Sequence, residues 1–180
     1  MANGGIIGPI KVVCTPSTET HTYTASGTFQ KKNCTSTIPE IMVVAGGGGG
    51  GNPVGGGGGA GGYRTATCVS IPNAALTVTV GAGGSAVSAN NRGTDGSNSV
   101  FSTTTSEGGG GGGASGCGGS SVPTTSSARD GKTGGSGGGG AASQPVSNVG
   151  CGGAGNTPPT SPPQGNNAGG GGNGPFYGGG

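Results

Sequence analysis

Charged and aromatic side chains are scarce in this chain of 180 residues, which has 7% charged residues, three Tyr, three Phe and no Trp. It contains a single His and five carboxylates, none of which is closely paired with another: Glu19, Glu40, Asp95, Glu107 and Asp130. An enzyme needs titratable groups that converge on a substrate. We therefore expect no catalytic residue, no cofactor and no metal site.

Basic residues are also too few for a nucleic-acid interface, which needs a basic stripe or patch. The formal net charge is +2, and no basic run exceeds Lys31 and Lys32. The longest apolar run, residues 41–45, is far shorter than the roughly 20 residues that span a bilayer. Residues 1–13 lack the cationic start and apolar core of a secretory signal. We expect neither nucleic-acid binding, nor membrane insertion, nor secretion by that route.

The five cysteines are widely spaced and include no Cys-x-x-Cys pair, which argues against a metal knuckle. One interpretation is a disulfide between Cys14 and Cys34 that clamps the N-terminal strands. The other is a set of five small, buried, reduced thiols, and synthesis in a reducing compartment favours it.

Large apolar side chains are concentrated in residues 1–105, which hold 19 of the 23 Leu, Ile, Val and Phe. Short alternating or apolar runs bounded by Gly and Asn are typical of strands, and no segment has a helical period. The continuous run 40–45 is typical of a strand buried on both faces. The sequence predicts an all-β fold, a small antiparallel β sandwich or partial jelly roll. The predicted strands are residues 20–29, 40–45, 63–69, 76–80 and 98–104.

Glycine accounts for 51 residues, and most of them occur in blocks between and after the predicted strands. Ordering a glycine backbone costs more conformational entropy than ordering any other residue, so one interpretation is a disordered linker. The other is a packed polyglycine II bundle of extended, left-handed three-residue helices, whose N–H groups bond to carbonyls of neighbouring helices. The recurrence of the blocks and the short turn-rich separators favour the bundle. The blocks are residues 46–62, with a turn at Asn52-Pro53-Val54, and residues 108–119, 131–142, 150–156 and 165–174.

The separators between the later blocks hold the most varied side chains of the second half of the chain. They are residues 120–130, 143–149 and 157–164. Rigid scaffolds present such loops for recognition, whereas solvated turns are the plainer interpretation. The candidate binding residues are Val122, Arg129, Asp130, Gln144, Asn148 and Gln164, together with the aromatic pair Phe176 and Tyr177.

An ordered series of motifs covers about 80 residues and leads into the glycine run 108–113. It comprises HTYTASGTF at 21–29, IMVVAGGGGGG at 41–51, GGAGGYR at 58–64, TVTVGAGG at 77–84 and DGSNSVF at 95–101. This series resembles the glycine-rich tail-fibre and adhesin proteins of tailed bacteriophages. In the similar tip adhesins of T-even-like phages, glycine-rich segments form a polyglycine II bundle and the intervening loops bind the host receptor.

The resemblance implies a virion protein, a tail fibre or receptor-binding adhesin, made in the host cytoplasm. Its partners would be other virion proteins and a host-surface protein or glycan, and it would form a homo-oligomer such as a trimer. We expect an attachment segment at 1–14, a β domain at 15–105 with the insertion 46–62, and a glycine-rich polyglycine II region with exposed loops at 106–180. The attachment candidates are Ile6, Ile7, Pro9 and Ile10.

Two other functions remain open. One is a structural decoration or spacer on a capsid or tail, without receptor binding. The other is an ice-binding protein that uses a flat polyglycine II face, which the lack of regular triplets in the blocks disfavours.

Overall fold

The computed structural model describes residues 19–31, 37–88, 91–114, 126–142, 149–172 and 179. The attachment candidates Ile6, Ile7, Pro9 and Ile10, and both Cys14 and Cys34, lie outside these residues. Within the described parts there are six strands and one helical turn: β1 Gly27–Phe29, β2 Thr37–Val44, β3 Tyr63–Ser70, β4 Leu76–Thr79, β5 Ser99–Phe101, β6 Thr104–Ser106 and α1 Ser126–Arg129.

The strands form two antiparallel sheets, which confirms the all-β class. One sheet has the order β1-β4-β5-β6, and the other pairs β2 with β3 from Val44 opposite Tyr63 to Thr37 opposite Ser70. The predicted strand at 98–104 divides into the hairpin β5–β6, which turns at Ser102 with a φ of 53°. The two sheets pack on each other through contacts of β2 and β3 with β5 and β6.

The apolar core between the sheets is small, with Val43, Ile71 and Val78 buried. The expectation that residues 40–45 are buried on both faces is wrong, because Met42 is 65% exposed and Val44 50% exposed. The strand pair β2–β3 packs against the other sheet on one face only, so its side chains alternate between core and solvent. A core of this size leaves much of the fold to be held by backbone hydrogen bonds.

Extended glycine-rich segments continue from the ends of the strands and pair through backbone hydrogen bonds with a period of three residues. This period is that of an extended three-residue helix, which makes no hydrogen bonds within itself. The first two arms, 45–51 and 55–62, are antiparallel and turn at 52–54, as predicted. Their N–H to O=C pairs are Ala45 to Gly62, Gly48 to Gly59 and Gly51 to Gly56, at 2.8–3.0 Å.

Residues 108–113 form the centre of the bundle, and all six are buried. Each of their N–H groups donates a hydrogen bond, in chain order to Asn98 Oδ1, Gly46 O, Ser136 O, Asp95 Oδ1, Gly49 O and Gly139 O. Each of their carbonyls accepts one, in chain order from the N–H groups of Gly135, Gly96, Gly59, Lys132, Gly93 and Gly56. Six consecutive glycines are therefore a fully bonded polyglycine II helix, because a segment without side chains lets neighbouring backbones approach from every side.

The bundle includes more of the chain than the later glycine blocks. Residues 45–62 and 80–98 contribute four of its segments, and the predicted domain boundaries remain a prediction. The block 131–142 is divided by a tight turn at 134–136 into two antiparallel segments, in which the Ala141 N–H bonds to the Arg129 carbonyl. In the described part of the chain the segments are residues 45–51, 55–62, 80–88, 91–98, 107–114, 129–134, 135–142, 149–156 and 164–172, with Gly179 beside them.

On one side of the central segment, side-chain oxygens accept the backbone N–H groups that the carbonyls of a neighbouring helix accept elsewhere in the bundle. Asp95 Oδ1 and Asn98 Oδ1, three residues apart, accept the N–H groups of Gly111 and Gly108 at 2.8 Å. The other oxygen of Asp95 pairs with Lys132 Nζ at 3.3 Å. Because the spacing of these two acceptors matches the three-residue helical repeat, they satisfy successive N–H groups as a neighbouring backbone would.

We expect the acceptor role of Asp95 to outweigh its ion pair. Asp95→Ala leaves the buried N–H of Gly111 without an acceptor and should cost about 1–3 kcal/mol of the free energy of unfolding. Asp95→Asn keeps the acceptor oxygen and loses only the half-exposed pair with Lys132, which should cost less than about 1 kcal/mol. Denaturant titration of both variants measures the difference. Equal losses for the two variants would contradict this assignment.

Candidate binding surfaces

The bundle has two ends with different contents. At the end that we call the sheet end, Ala45 and Gly62 connect directly to β2 and β3, and Glu107 follows β6. At the other end, which we call the turn end, lies the turn 52–54, where the Ala142 N–H bonds to the Val54 carbonyl at 3.2 Å. A helix of eight residues at about 3.1 Å per residue separates the two ends by roughly 25 Å.

Four segments outside the described residues are flanked at or near the turn end: the short segment 89–90, beside Asn52 and Asn91, and three longer ones. Ala114 bonds to the Ala128 carbonyl on either side of 115–125, and Ala142 and Val149 flank 143–148. Residues 173–178 follow Gly172, whose neighbour Gly171 bonds to the Gly150 carbonyl at this end. Five candidate residues belong to these segments and lie outside the described residues: Val122, Gln144, Asn148, Phe176 and Tyr177.

Two other candidates, Arg129 and Asp130, contribute to the bundle itself. Arg129 ends α1 and is 7% exposed, and its carbonyl accepts the Ala141 N–H. Asp130 Oδ1 accepts the backbone N–H of Cys151 at 2.7 Å. The structure therefore gives both residues a part in joining neighbouring segments. As contacts to a partner they remain predictions.

The last candidate, Gln164, lies at the sheet end, away from the three longer turn-end segments. It is 3% exposed, and its side chain accepts the Glu107 N–H at 2.9 Å and donates to the Pro158 carbonyl at 3.1 Å. Its own carbonyl accepts the Tyr63 N–H at 2.8 Å. Gln164 thus ties the loop 157–163 to the start of β3 and the end of β6.

Asn156 holds the other side of that loop, which we call the proline loop, residues 157–163. Its φ is 50°, a left-handed conformation that Asn tolerates better than most residues. Its Oδ1 accepts the N–H groups of Thr160 and Gln164 at 3.0 and 3.1 Å. The side chains of the proline loop that face solvent are those of Thr157, Pro158, Pro159, Ser161, Pro162 and Pro163. A loop fixed at both ends loses little conformational entropy when it binds a partner.

The described residues hold no group of three or more His, Cys, Asp or Glu side chains placed to ligate a metal ion. No helix in the same residues has the length and hydropathy to span a bilayer.

Cys68 and Cys151 are free and exposed, so the expectation that the thiols are buried is wrong for these two. The only His, His21, lies edge-on to Phe29 at 5.5 Å and 3.5 Å from a Glu19 oxygen.

Sequence analysis did not identify most of the residues that hold the bundle and the proline loop in place. Asn156, Asp95 and Asn98 were not among the candidates, although each supplies side-chain acceptors that hold backbone N–H groups. The sequence does contain one feature that could have identified two of them. The three-residue spacing of Asp95 and Asn98 equals the repeat of the helix against which they lie.

A model of a glycine-rich domain family matches residues 22–180, nearly the whole chain. The chain belongs to the glycine-rich domain family. The match spans both sheets and every glycine-rich segment of the bundle, so the glycine-rich domain includes the β strands as well as the glycine blocks. No curated protein and no solved structure matches the chain.

Proposed function

We propose that this glycine-rich domain is a bacteriophage virion protein, a tail fibre or adhesin whose turn end contacts the host surface. The observation that carries the proposal is the grouping of the three longer flanked segments, 115–125, 143–148 and 173–178, at or near one end of a rigid bundle. The sheets and the first described residues, from Glu19 onward, lie at the other end. This polarity suits a protein that is attached through its N-terminal part and presents loops at its tip.

The resemblance of five ordered motifs to phage tail-fibre and adhesin proteins supports the virion assignment. The bonding of the bundle supports the tip role, because helices whose backbone groups are paired hold the residues that flank these segments at fixed positions. Attachment to other virion proteins through residues 1–14, and a homo-oligomeric state, belong to the same proposal. The receptor would be a protein or glycan of the host surface.

Replacing residues in two of the three longer turn-end segments, one segment at a time, tests the proposal. Residues 120–125 or 143–148 are replaced by Gly and Ser at unchanged length, which leaves the structural contacts of Arg129 and Asp130 in place. We expect the purified variants to remain folded and to lose at least about tenfold in affinity for host cells, because loop side chains supply the contact area. Competition with phage adsorption measures the loss.

The matched control is the proline loop, in which Pro158, Pro159, Pro162 and Pro163 are replaced while Asn156 and Gln164 are kept. We expect this variant to bind host cells as the parent does. Parental binding by both turn-end variants would contradict the adhesin proposal and favour the structural spacer. Loss of binding only in the proline-loop variant would contradict the placement of the receptor surface at the turn end.

A further inference from the structure

Residues 135–142 are surrounded by six neighbours, as in a hexagonal packing of helices. Five are extended segments joined to it by backbone hydrogen bonds: 55–62, 107–114, 129–134, 149–156 and 164–172. The sixth neighbour is Gly179, close to the C-terminus. Its position completes the ring around this segment.

Gly179 lies in a slot that we define by Gly57, Gly140 and Gly169. Its N–H donates to the Gly140 carbonyl at 2.8 Å, and its carbonyl accepts the Gly57 N–H at 2.9 Å. A Cβ built on Gly179 would fall on the Gly169 carbonyl oxygen, so the slot excludes any side chain at this position. Every contact that places Gly179 is made by backbone atoms.

We propose that this slot, which Gly179 occupies in this chain, is a binding site for an extended glycine backbone. The slot offers one donor and one acceptor to a passing backbone and requires glycine for steric reasons. The next carbonyl on the same side, that of Gly137, lies three residues before Gly140 and has no backbone partner among the described residues. The Gly137 carbonyl is therefore an acceptor for an N–H group in a second turn of an extended glycine segment.

The slot recognises backbone atoms and the absence of a side chain, so its binding can be measured without a receptor. Two hydrogen bonds and a steric fit define the slot, so its occupant does not have to be covalently part of the same chain. A glycine-rich peptide supplied in solution should therefore occupy the slot when the chain's own segment is displaced.

The test uses full-length protein carrying Gly179→Val, which places a side chain against the Gly169 carbonyl and expels residue 179 from the slot. We expect amide exchange of Gly57 to accelerate at least about tenfold, because its N–H loses its acceptor. The internal control is Gly59, whose N–H donates to the Gly110 carbonyl inside the bundle and should exchange at the parental rate.

A peptide with the sequence of residues 173–180, added at millimolar concentration to the Gly179→Val protein, should restore protection of the Gly57 amide. The same peptide with Val in place of the glycine that corresponds to Gly179 should not. The proposal is overturned if Gly57 exchanges equally fast in parent and variant, or if the unaltered peptide restores no protection. Neither result bears on adsorption to host cells, so this test and that of the adhesin proposal fail separately.

Discussion

Gly48→Ala should destabilise the protein by about 3 kcal/mol or more, close to the upper range for overpacked sites. A Cβ on Gly48 would fall on the carbonyl of Gly110, in the central segment of the bundle. The obstacle is backbone on both sides, so no side chain can rotate away to make room. Urea denaturation, followed by circular dichroism or by amide exchange, gives the change in the free energy of unfolding.

The adjacent residue provides the control. A Cβ on Gly47 meets nothing nearer than the Gly59 carbonyl oxygen at 3.5 Å, an ordinary van der Waals distance. Gly47→Ala should be neutral or stabilising by up to about 1 kcal/mol, because alanine reduces the entropy of the unfolded chain. The same contrast is expected three residues later, between Gly51→Ala and Gly50→Ala. Equal tolerance at all four positions would mean that residues 46–51 are a linker.

The second large effect is expected at Gln164, where the sheets, the bundle and the proline loop meet. Gln164→Leu retains most of the side-chain volume and removes both side-chain hydrogen bonds, including the acceptor of the Glu107 N–H. We expect a loss of about 2–3 kcal/mol, because a backbone N–H is left without its partner in a partly buried site. Thermal or urea unfolding measures it.

Thr157→Ala is the matched control in the same loop. The Thr157 side chain is exposed, and its hydroxyl bonds only to the Gly155 carbonyl two residues away. Its removal should cost less than about 0.5 kcal/mol. If Gln164→Leu were as well tolerated as Thr157→Ala, the side chain of Gln164 would not join these three parts.

Glycine blocks and strand patterns predicted much of the local structure of the described residues, although the strand predicted at 20–29 is only β1, Gly27–Phe29, and the helical turn α1 was not predicted. The two arms around residues 52–54 follow from their symmetry, since a turn-forming Asn-Pro lies between glycine runs of similar length. The strands at residues 63–69 and 76–80 follow from their alternation and are β3 and β4, within a residue at each end. The packed bundle follows from the physics of glycine, because only neighbouring backbones can satisfy the outward N–H groups.

The lateral neighbours of each segment were not predictable. A strand carries a pattern of side chains that selects its partner face, whereas residues 108–113 are identical and carry none. The division of residues 131–142 at 134–136 was missed for the same reason. The burial of Gln164 was missed because a polar residue in a Pro-rich segment is usually solvated, and only the three-dimensional position of Glu107 makes it a structural acceptor.

The exposed face of the β2–β3 pair does not follow from the sequence, because a continuous apolar run is also typical of a strand that is buried on both faces. Val43 and Ala45 do lie in the core, but Met42 and Val44 face solvent beside Tyr63. An apolar run shows that one face is buried and leaves the other undetermined. The number of layers around a strand depends on the rest of the fold.

Amide exchange of residues 108–113 tests the central claim most directly. The N–H groups of these six glycines are all hydrogen-bonded within the bundle, so the account predicts protection comparable to that of Val43 and Val78 in the sheets, with exchange many-fold slower than in a free chain. Exchange of residues 108–113 at free-chain rates, while the strands stay protected, would contradict it and identify the glycine run as a disordered linker.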